Sequence, residues 1–332
     1  NISGIGSDYY IGRPKSKTDV SQAYGDTKST KEEFIYENNK LKTIKKWNRD
    51  SSGYLQETYV YDGFGNITHK TISNSIDTQS QTSQTKYDTK GRFVEKKIDN
   101  LGLETNIEYN DWGQVKKQTD PLGNILVNDY DSWGKLLTSK TNLAGTVTYQ
   151  YVRDSNANII VTQYDPDGNV SKKYTNKLGQ NYKTSTKSFN QGQYISSDIK
   201  YDVLGRKIKE SEPYFEGQSA SQWNVISYND SVFPAKVTVT AFTGKQMETS
   251  VSGLTTTVKE INGYSRITSK TVDALDNVVS STDKGGTITF LYNAAGEQVQ
   301  AKYAENVVTT KYDSWGRKSE FHDPSNGIYK YE

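Results

Sequence analysis

YDSWGK, residues 130–135, comes back as YDSWGR at residues 312–317. Both are spellings of a looser hexamer, YDxxGx, whose second place is Asp or Asn. The other copies are YDGFGN (61–66), YDTKGR (87–92), YNDWGQ (109–114), YDPDGN (164–169), YDVLGR (201–206) and YNAAGE (292–297). Eight copies in one chain define a repeat architecture. Half-copies keep the turn and drop the tyrosine: DNLGLE (99–104), DPLGNI (120–125), TNLAGT (141–146) and TNKLGQ (175–180). The turn glycines then fall at 91, 102, 113, 123, 134 and 145, a step of ten or eleven residues, so two steps make a unit of about 21.

The chemistry of the hexamer is that of a hairpin. Asp or Asn opening a tight turn accepts a hydrogen bond from the backbone two residues on, and Gly three places later takes the left-handed conformation that closes a type I turn with a bulge. The positions assigned this role are Tyr61, Asp62 and Gly65; Tyr87, Asp88 and Gly91; Tyr109 and Gly113; Tyr130, Asp131 and Gly134; Tyr164, Asp165 and Gly168; Tyr201, Asp202 and Gly205; Tyr292 and Gly296; and Tyr312, Asp313 and Gly316. Segments between the turns alternate apolar and polar residues, as in Ile107/Tyr109, Val147/Tyr149/Tyr151 and Ile288/Phe290/Tyr292. That period is a strand's, and the wealth of Val, Ile, Thr and Tyr suits strands. The prediction is an all-β fold of repetitive antiparallel hairpins zipped into a continuous curved or spiral sheet.

Composition fits a sheet with little apolar interior. Only 33% of the 332 residues are hydrophobic, 25 residues are Tyr, and the mean hydropathy is −0.83. Aromatics at 12% and a net charge of +2 argue against disorder. With 41 basic against 39 acidic residues there is no bulk electrostatic drive towards nucleic acid or an anionic membrane. Apolar runs are too short for a transmembrane helix. The absence of Cys excludes disulfides, thiolate metal sites and a Cys nucleophile.

The organisation expected is a lead-in segment at 1–30, a repeat array at 31–212, irregular repeats or an insertion at 213–262, and a further array at 263–332. Pro213, Pro234 and the Gly/Ser/Gln stretch 217–222 mark the irregular part. Because the sequence starts at Asn1 and ends at Tyr331–Glu332 inside the pattern, it reads as a segment of a longer polypeptide whose array continues.

The YDxxG array, with DPLGN and YDSWGR, resembles the YD or Rhs repeat of bacterial Rhs proteins, of shell components of insecticidal toxin complexes and of teneurins. The resemblance covers roughly residues 31–332, and Tyr10–Ile11–Gly12–Arg13–Pro14 resembles the lead-in to the array in toxin-complex-like Rhs proteins. It implies a spiral β-sheet wound into a hollow shell around a C-terminal toxin or effector, which an Rhs core segment plugs and cuts free. These 332 residues include no core or toxin segment, so what the resemblance is expected to carry over is a segment of wall.

Catalytic signals are weak beside this. The turn aspartates occupy repeated positions, so a glycosidase pair yields to a structural role. Asp165–Asn169 imitates the start of a calcium loop, but Gly168 stands at the fourth place and Asn176 at the twelfth. His69 and His322 are the only histidines, without any accompanying motif. No catalytic, cofactor-binding or metal residue is assigned. Asn66, Asn169 and Asn229 stand in glycosylation sequons that Asn-rich turns also generate by accident. Trp112, Trp133 and Trp315 share the fourth place of their hexamers, either packing on neighbouring turns or offering stacking platforms to a ligand.

The reading is therefore a non-enzymatic structural segment of a secreted or cell-surface shell that encapsulates and shields a toxin or effector, as in polymorphic toxins. Its partners would be the rest of its own polypeptide, including that cargo, and a secretion or toxin-delivery component; it would need no cofactor, nucleic acid or membrane insertion. The rival is a cell-surface recognition module that binds glycans or a protein.

Overall fold

The computed structural model describes residues 12–189 and 192–331. Tyr10 and Ile11 of the lead-in stretch lie outside the described residues. Among those described are 29 strands and no helix, so the fold class is all-β. The chain divides into two compact units, Asn1–Gly123 with Ile288–Glu332, and Asn124–Thr287.

Within the first unit the strands from Ser16–Ala23 to Val115–Thr119 form an unbroken antiparallel ladder, each paired with its neighbours in sequence. A second ladder runs from Gly286–Tyr292 to Gly327–Lys330. The second unit repeats the plan from Ile125–Tyr130 to Val278–Asp283. One local departure occurs there: Tyr214–Phe215 folds back onto Tyr194–Tyr201, while Lys207–Ser211 pairs with Trp223–Asn229.

The register shifts by one residue at the tyrosine of seven hexamers, for example between Val60 and Tyr61 and between Lys311 and Tyr312. This is a β-bulge beside the turn. Tyr164 is the exception, facing Val170 with no shift. Strands reverse at every turn, and 165–169 falls at the opposite end of its hairpin from the turns at 131–135 and 202–206.

The interior is thin. Among described residues only Tyr59, Ile107, Val170 and Ala294 are buried hydrophobics, while Thr43, Asn48, Ser185, Ser196 and Thr310 are among the buried polar ones. A hairpin alone is marginal, and a sheet with so little apolar core depends on its ladder and on cross-strand contacts. Phe93 stacks on Tyr109 with centroids 5.0 Å apart, and Trp47 meets Tyr54 edge-on at 4.8 Å. Cross-strand aromatic pairs of this kind add about 0.5–1.5 kcal/mol beyond the area they bury.

Candidate functional site: the turn edge and its seam

Six of the eight hexamer turns are built by one side chain that accepts from the amides two and four residues on. In 61–66 a single carboxylate oxygen of Asp62 accepts from the amides of Phe64 and Asn66, both at 2.9 Å. Asp131, Asp202 and Asp313 accept from the amides two and four residues on in the same way. Asn110 and Asn293 replace the carboxylate with an amide oxygen and keep both bonds. The glycine amide donates to the carbonyl of the Asx residue, and every hexamer glycine has φ between 66° and 96°.

Three of the tyrosines that open hexamer turns reach backwards along the chain. The hydroxyl of Tyr61 donates to the Leu41 carbonyl at 2.6 Å, Tyr201 to Asn181 at 2.7 Å, and Tyr312 to Gln298 at 2.9 Å. Tyr151 and Tyr228 do the same to Leu136 and Lys207. In four of the five cases (Asn181, Gln298, Leu136 and Lys207) the acceptor is the first residue of the strand paired with the tyrosine's own. Burial raises the pKa of Tyr61, Tyr151 and Tyr312, so these hydroxyls stay neutral donors. Tyr164, on the opposite end of its hairpin, bonds the Gln150 side chain instead.

Neighbouring turns are also stapled to one another, which sequence reasoning missed. In two hexamers the sixth residue bonds back to its own Asx and forward to a later turn. The Asn66 amide donates to Asp62 at 3.1 Å and to the Gly91 carbonyl at 2.7 Å. Arg206 bridges Asp202 and Asp230, both at 2.8 Å. The glycine is the seat for this contact. A Cβ on Gly91 would lie 2.5 Å from the Phe64 ring, and one on Gly113 would lie 2.6 Å from Phe93. The residue-six signal is present in the sequence as a run of Asn, Gln, Arg and Lys at that place, but its second partner lies one repeat away.

The first unit holds a further contact that joins its two ladders edge to edge. The loop Asn48–Gly53 is closed on itself by Asn48, whose side-chain oxygen accepts from the Gly53 amide at 3.1 Å and whose NH2 donates to Ser52 Oγ at 2.9 Å. Against it sits the turn 312–317. The Arg49 amide donates to the Ser314 carbonyl at 3.0 Å, and the Asn48 NH2 donates to Ser314 Oγ at 3.1 Å. A Cβ on Gly53 would lie 3.2 Å from the Trp315 ring, so the indole lies over bare backbone. The Arg49 guanidinium grips Glu297 through both nitrogens at 2.9 and 2.7 Å. Asp26 accepts from the Ala294 amide at 3.1 Å. These partners are 248 to 268 residues apart.

Electrostatics fit the contact. The hydrogen bond to Glu297 raises the Arg49 pKa. Burial works against the charge of Glu297, but hydrogen bonds from Arg49 and Asn293 outweigh it and hold its carboxyl below the ordinary range. The Ala294 amide does the same for Asp26. Beside the seam lies a cavity of about 960 Å³, lined by Tyr24 and Tyr292 and by both signs of charge, including Asp26, Lys28, Asp50 and Lys311.

Backbone course and repeat geometry together are specific enough to compare with known structures. The chain shares its fold with TcdB2-TccC3. Against the crystal structure of TcdB2-TccC3-TEV the TM-score is 0.54 at 14% identity, covering 96% of this chain and 20% of that one. Against TcdB2-TccC3 without its hypervariable C-terminal region it is 0.52 at 12% identity, covering 96% and 22%. This chain thus spans about a fifth of the length of the TcdB2-TccC3 chains. No family model matches it, and no curated protein matches it in sequence.

Set on this TcdB2-TccC3-like fold, the three hexamer tryptophans have different surroundings. Trp315 is half-buried against Gly53, whereas Trp112 is 70% and Trp133 81% exposed. The shared fourth place therefore does not fix one role. His69 is half-buried and bonded to Thr68 Oγ, and His322 is exposed on Lys318–Asp323. Asp165–Asn169 is a closed turn of its own, with the Asp165 amide donating to the Asn169 carbonyl at 2.9 Å.

Proposed function

We propose that this chain is a non-enzymatic segment of an Rhs/YD-repeat shell, part of a secreted or cell-surface protein that encloses and shields a toxin or effector polypeptide. The observation that carries the reading is the seam of the first unit, where the turn edge of hairpins near residues 26 and 48 meets that of hairpins near 294 and 314. A sheet whose edge returns to its own edge after about 250 residues makes wall without a dense apolar core. The sparing use of buried hydrophobics supports the same reading. So does the fold shared with TcdB2-TccC3.

The partners on this reading are the remainder of the polypeptide, its cargo and a delivery component. The test is protease protection in the full-length polypeptide. With the shell intact, the cargo resists trypsin at concentrations that digest the same cargo expressed alone. Equal digestion of enclosed and free cargo contradicts encapsulation. The exposed Trp112 and Trp133 support a second reading, a recognition surface for glycans, for which saturable sugar binding abolished by Trp112→Ala is the required result.

A further inference from the structure

Charge is unevenly paired along the chain. Residues 124–201 hold nine Lys and Arg against six Asp and no Glu. Among the described residues none of those nine cations forms an ion pair, whereas Lys117 and Arg206 on either side pair with Glu108 and Asp202. Three of the nine converge. Arg153 lies opposite Ile159, and Ile159 opposite Thr175, so these side chains stand in a row on one face of the sheet. Tyr151, two residues before Arg153, shares that face. Its hydroxyl is fixed on the Leu136 carbonyl at 2.9 Å, and Lys135 Nζ sits 5.4 Å from its ring centre. Lys177 follows in the turn after Thr175. Together these six line a cavity of about 560 Å³ within the second unit.

We propose that this cavity binds a small organic oxyanion, a phosphate or sulfate ester, with the anionic group among Lys135, Arg153 and Lys177 and the organic part against Tyr151 and Ile159. Its volume and its mixture of apolar wall with a few placed polar groups suit a ligand of that size. No carboxylate lines it. Those of the flanking turns are spent on their own backbone: Asp131 accepts from the Trp133 and Lys135 amides, and Asp154 from the Asn156 and Asn158 amides and the Asn158 side chain. A guanidinium flanked by two ammonium groups can serve several oxygens of a tetrahedral anion at once, and Thr175 adds a hydroxyl on the same face. The cavity beside the seam, by contrast, sets carboxylates among its cations.

The probes are phenyl phosphate, a dianion at a pH of about 7.5, and phenyl sulfate, each titrated at fixed ionic strength into the intact chain labelled with 15N. The amide signals of Ile159 and Thr175 are expected to shift saturably, with half-saturation at about 1 mM or below for at least one ester. The tighter of the two tells phosphate from sulfate. Phenol, which keeps the ring and lacks the charge, should leave both signals still. Arg153→Gln or Lys177→Gln is expected to weaken binding at least about fivefold. Lys140→Gln removes another of the nine cations, one whose partner Thr146 lies an odd number of residues from Tyr151 along its strand and so on the opposite face; it should leave binding within about twofold. The proposal is overturned if neither ester saturates by about 10 mM, if phenol moves the signals equally, or if binding is unchanged in both Arg153→Gln and Lys177→Gln. An equal loss in Lys140→Gln, the mark of diffuse attraction, also overturns it.

Discussion

Arg49 and Glu297 meet through two parallel hydrogen bonds of 2.9 and 2.7 Å although 248 residues separate them. Their side chains retain 20% and 17% of their exposure, so the pair is only partly screened by water. Fork-to-fork geometry of this kind has both strength and direction. In a chain with so few buried hydrophobics, it is a principal bond between the two ladders of the first unit.

Replacing either partner with Ala is expected to destabilise the chain by about 1–2 kcal/mol. The double variant should cost less than the sum of the two, leaving a coupling of about 1 kcal/mol. Arg49→Lys should recover less than half of the Arg49→Ala loss, because an ammonium cannot match both carboxylate oxygens. Urea titration of the parent chain and the four variants checks this; additive losses would show that the pair is not a direct interaction.

Gly91 and Gly102 separate two demands on a turn glycine. Both have positive φ, 66° and 82°, but a Cβ on Gly91 meets Phe64 while one on Gly102 meets nothing. Gly102→Ala is expected to cost about 1 kcal/mol for backbone strain alone. Gly91→Ala should cost at least about 1 kcal/mol more from overpacking, and Phe64→Ala should relieve part of that excess. Thermal unfolding of these single and double variants decides; equal losses at the two glycines would remove the stapling role of Phe64.

Tyr61→Phe keeps the ring and deletes only the hydroxyl that reaches Leu41. The expected loss is about 0.5–1.5 kcal/mol, with the exchange protection of the neighbouring turn amides falling in parallel. No change in either would mean that the ring alone carries the position.

Glu57 sets an acid limit. The Tyr59 hydroxyl donates to it at 2.5 Å and Lys70 pairs with it at 2.9 Å, holding its pKa at about 2 against an ordinary 4.5. A depressed folded pKa contributes stability that is complete above the unfolded value and is lost as pH falls from about 4.5 towards about 2. With its side chain 19% exposed, the contribution is on the order of 2 kcal/mol after screening. Stability measured across that window should fall less steeply in Glu57→Gln. An unchanged slope would place the acid sensitivity elsewhere.

What the sequence disclosed follows the range of each interaction. The hexamer turns were legible because Asp62 or Asp313 builds its turn from amides two and four residues away, and glycine completes it locally. Turns without glycine escaped the pattern. Ala157 and Asp276 take the left-handed conformation at φ 64° and 63°, held by Asp154 and Asp273 in the same Asx geometry. The opposite placement of the 164–169 copy needed the count of intervening strands. The seam left no local sign. Trp315 and Trp133 stand in nearly identical hexamers, so the hexamer itself does not announce that Gly53 lies beside Trp315.

Because the chain has no cysteine, the pair Asp50→Cys and Ser314→Cys would carry the only two thiols, one on each side of the seam. A short bismaleimide added to the native double variant should link them and convert the chain into a fast-migrating looped species on a denaturing gel. That product should disappear when the protein is unfolded in urea before the reagent is added. A native chain that stays unlinked, or that links equally well after unfolding, contradicts the edge-to-edge closure on which the wall reading stands.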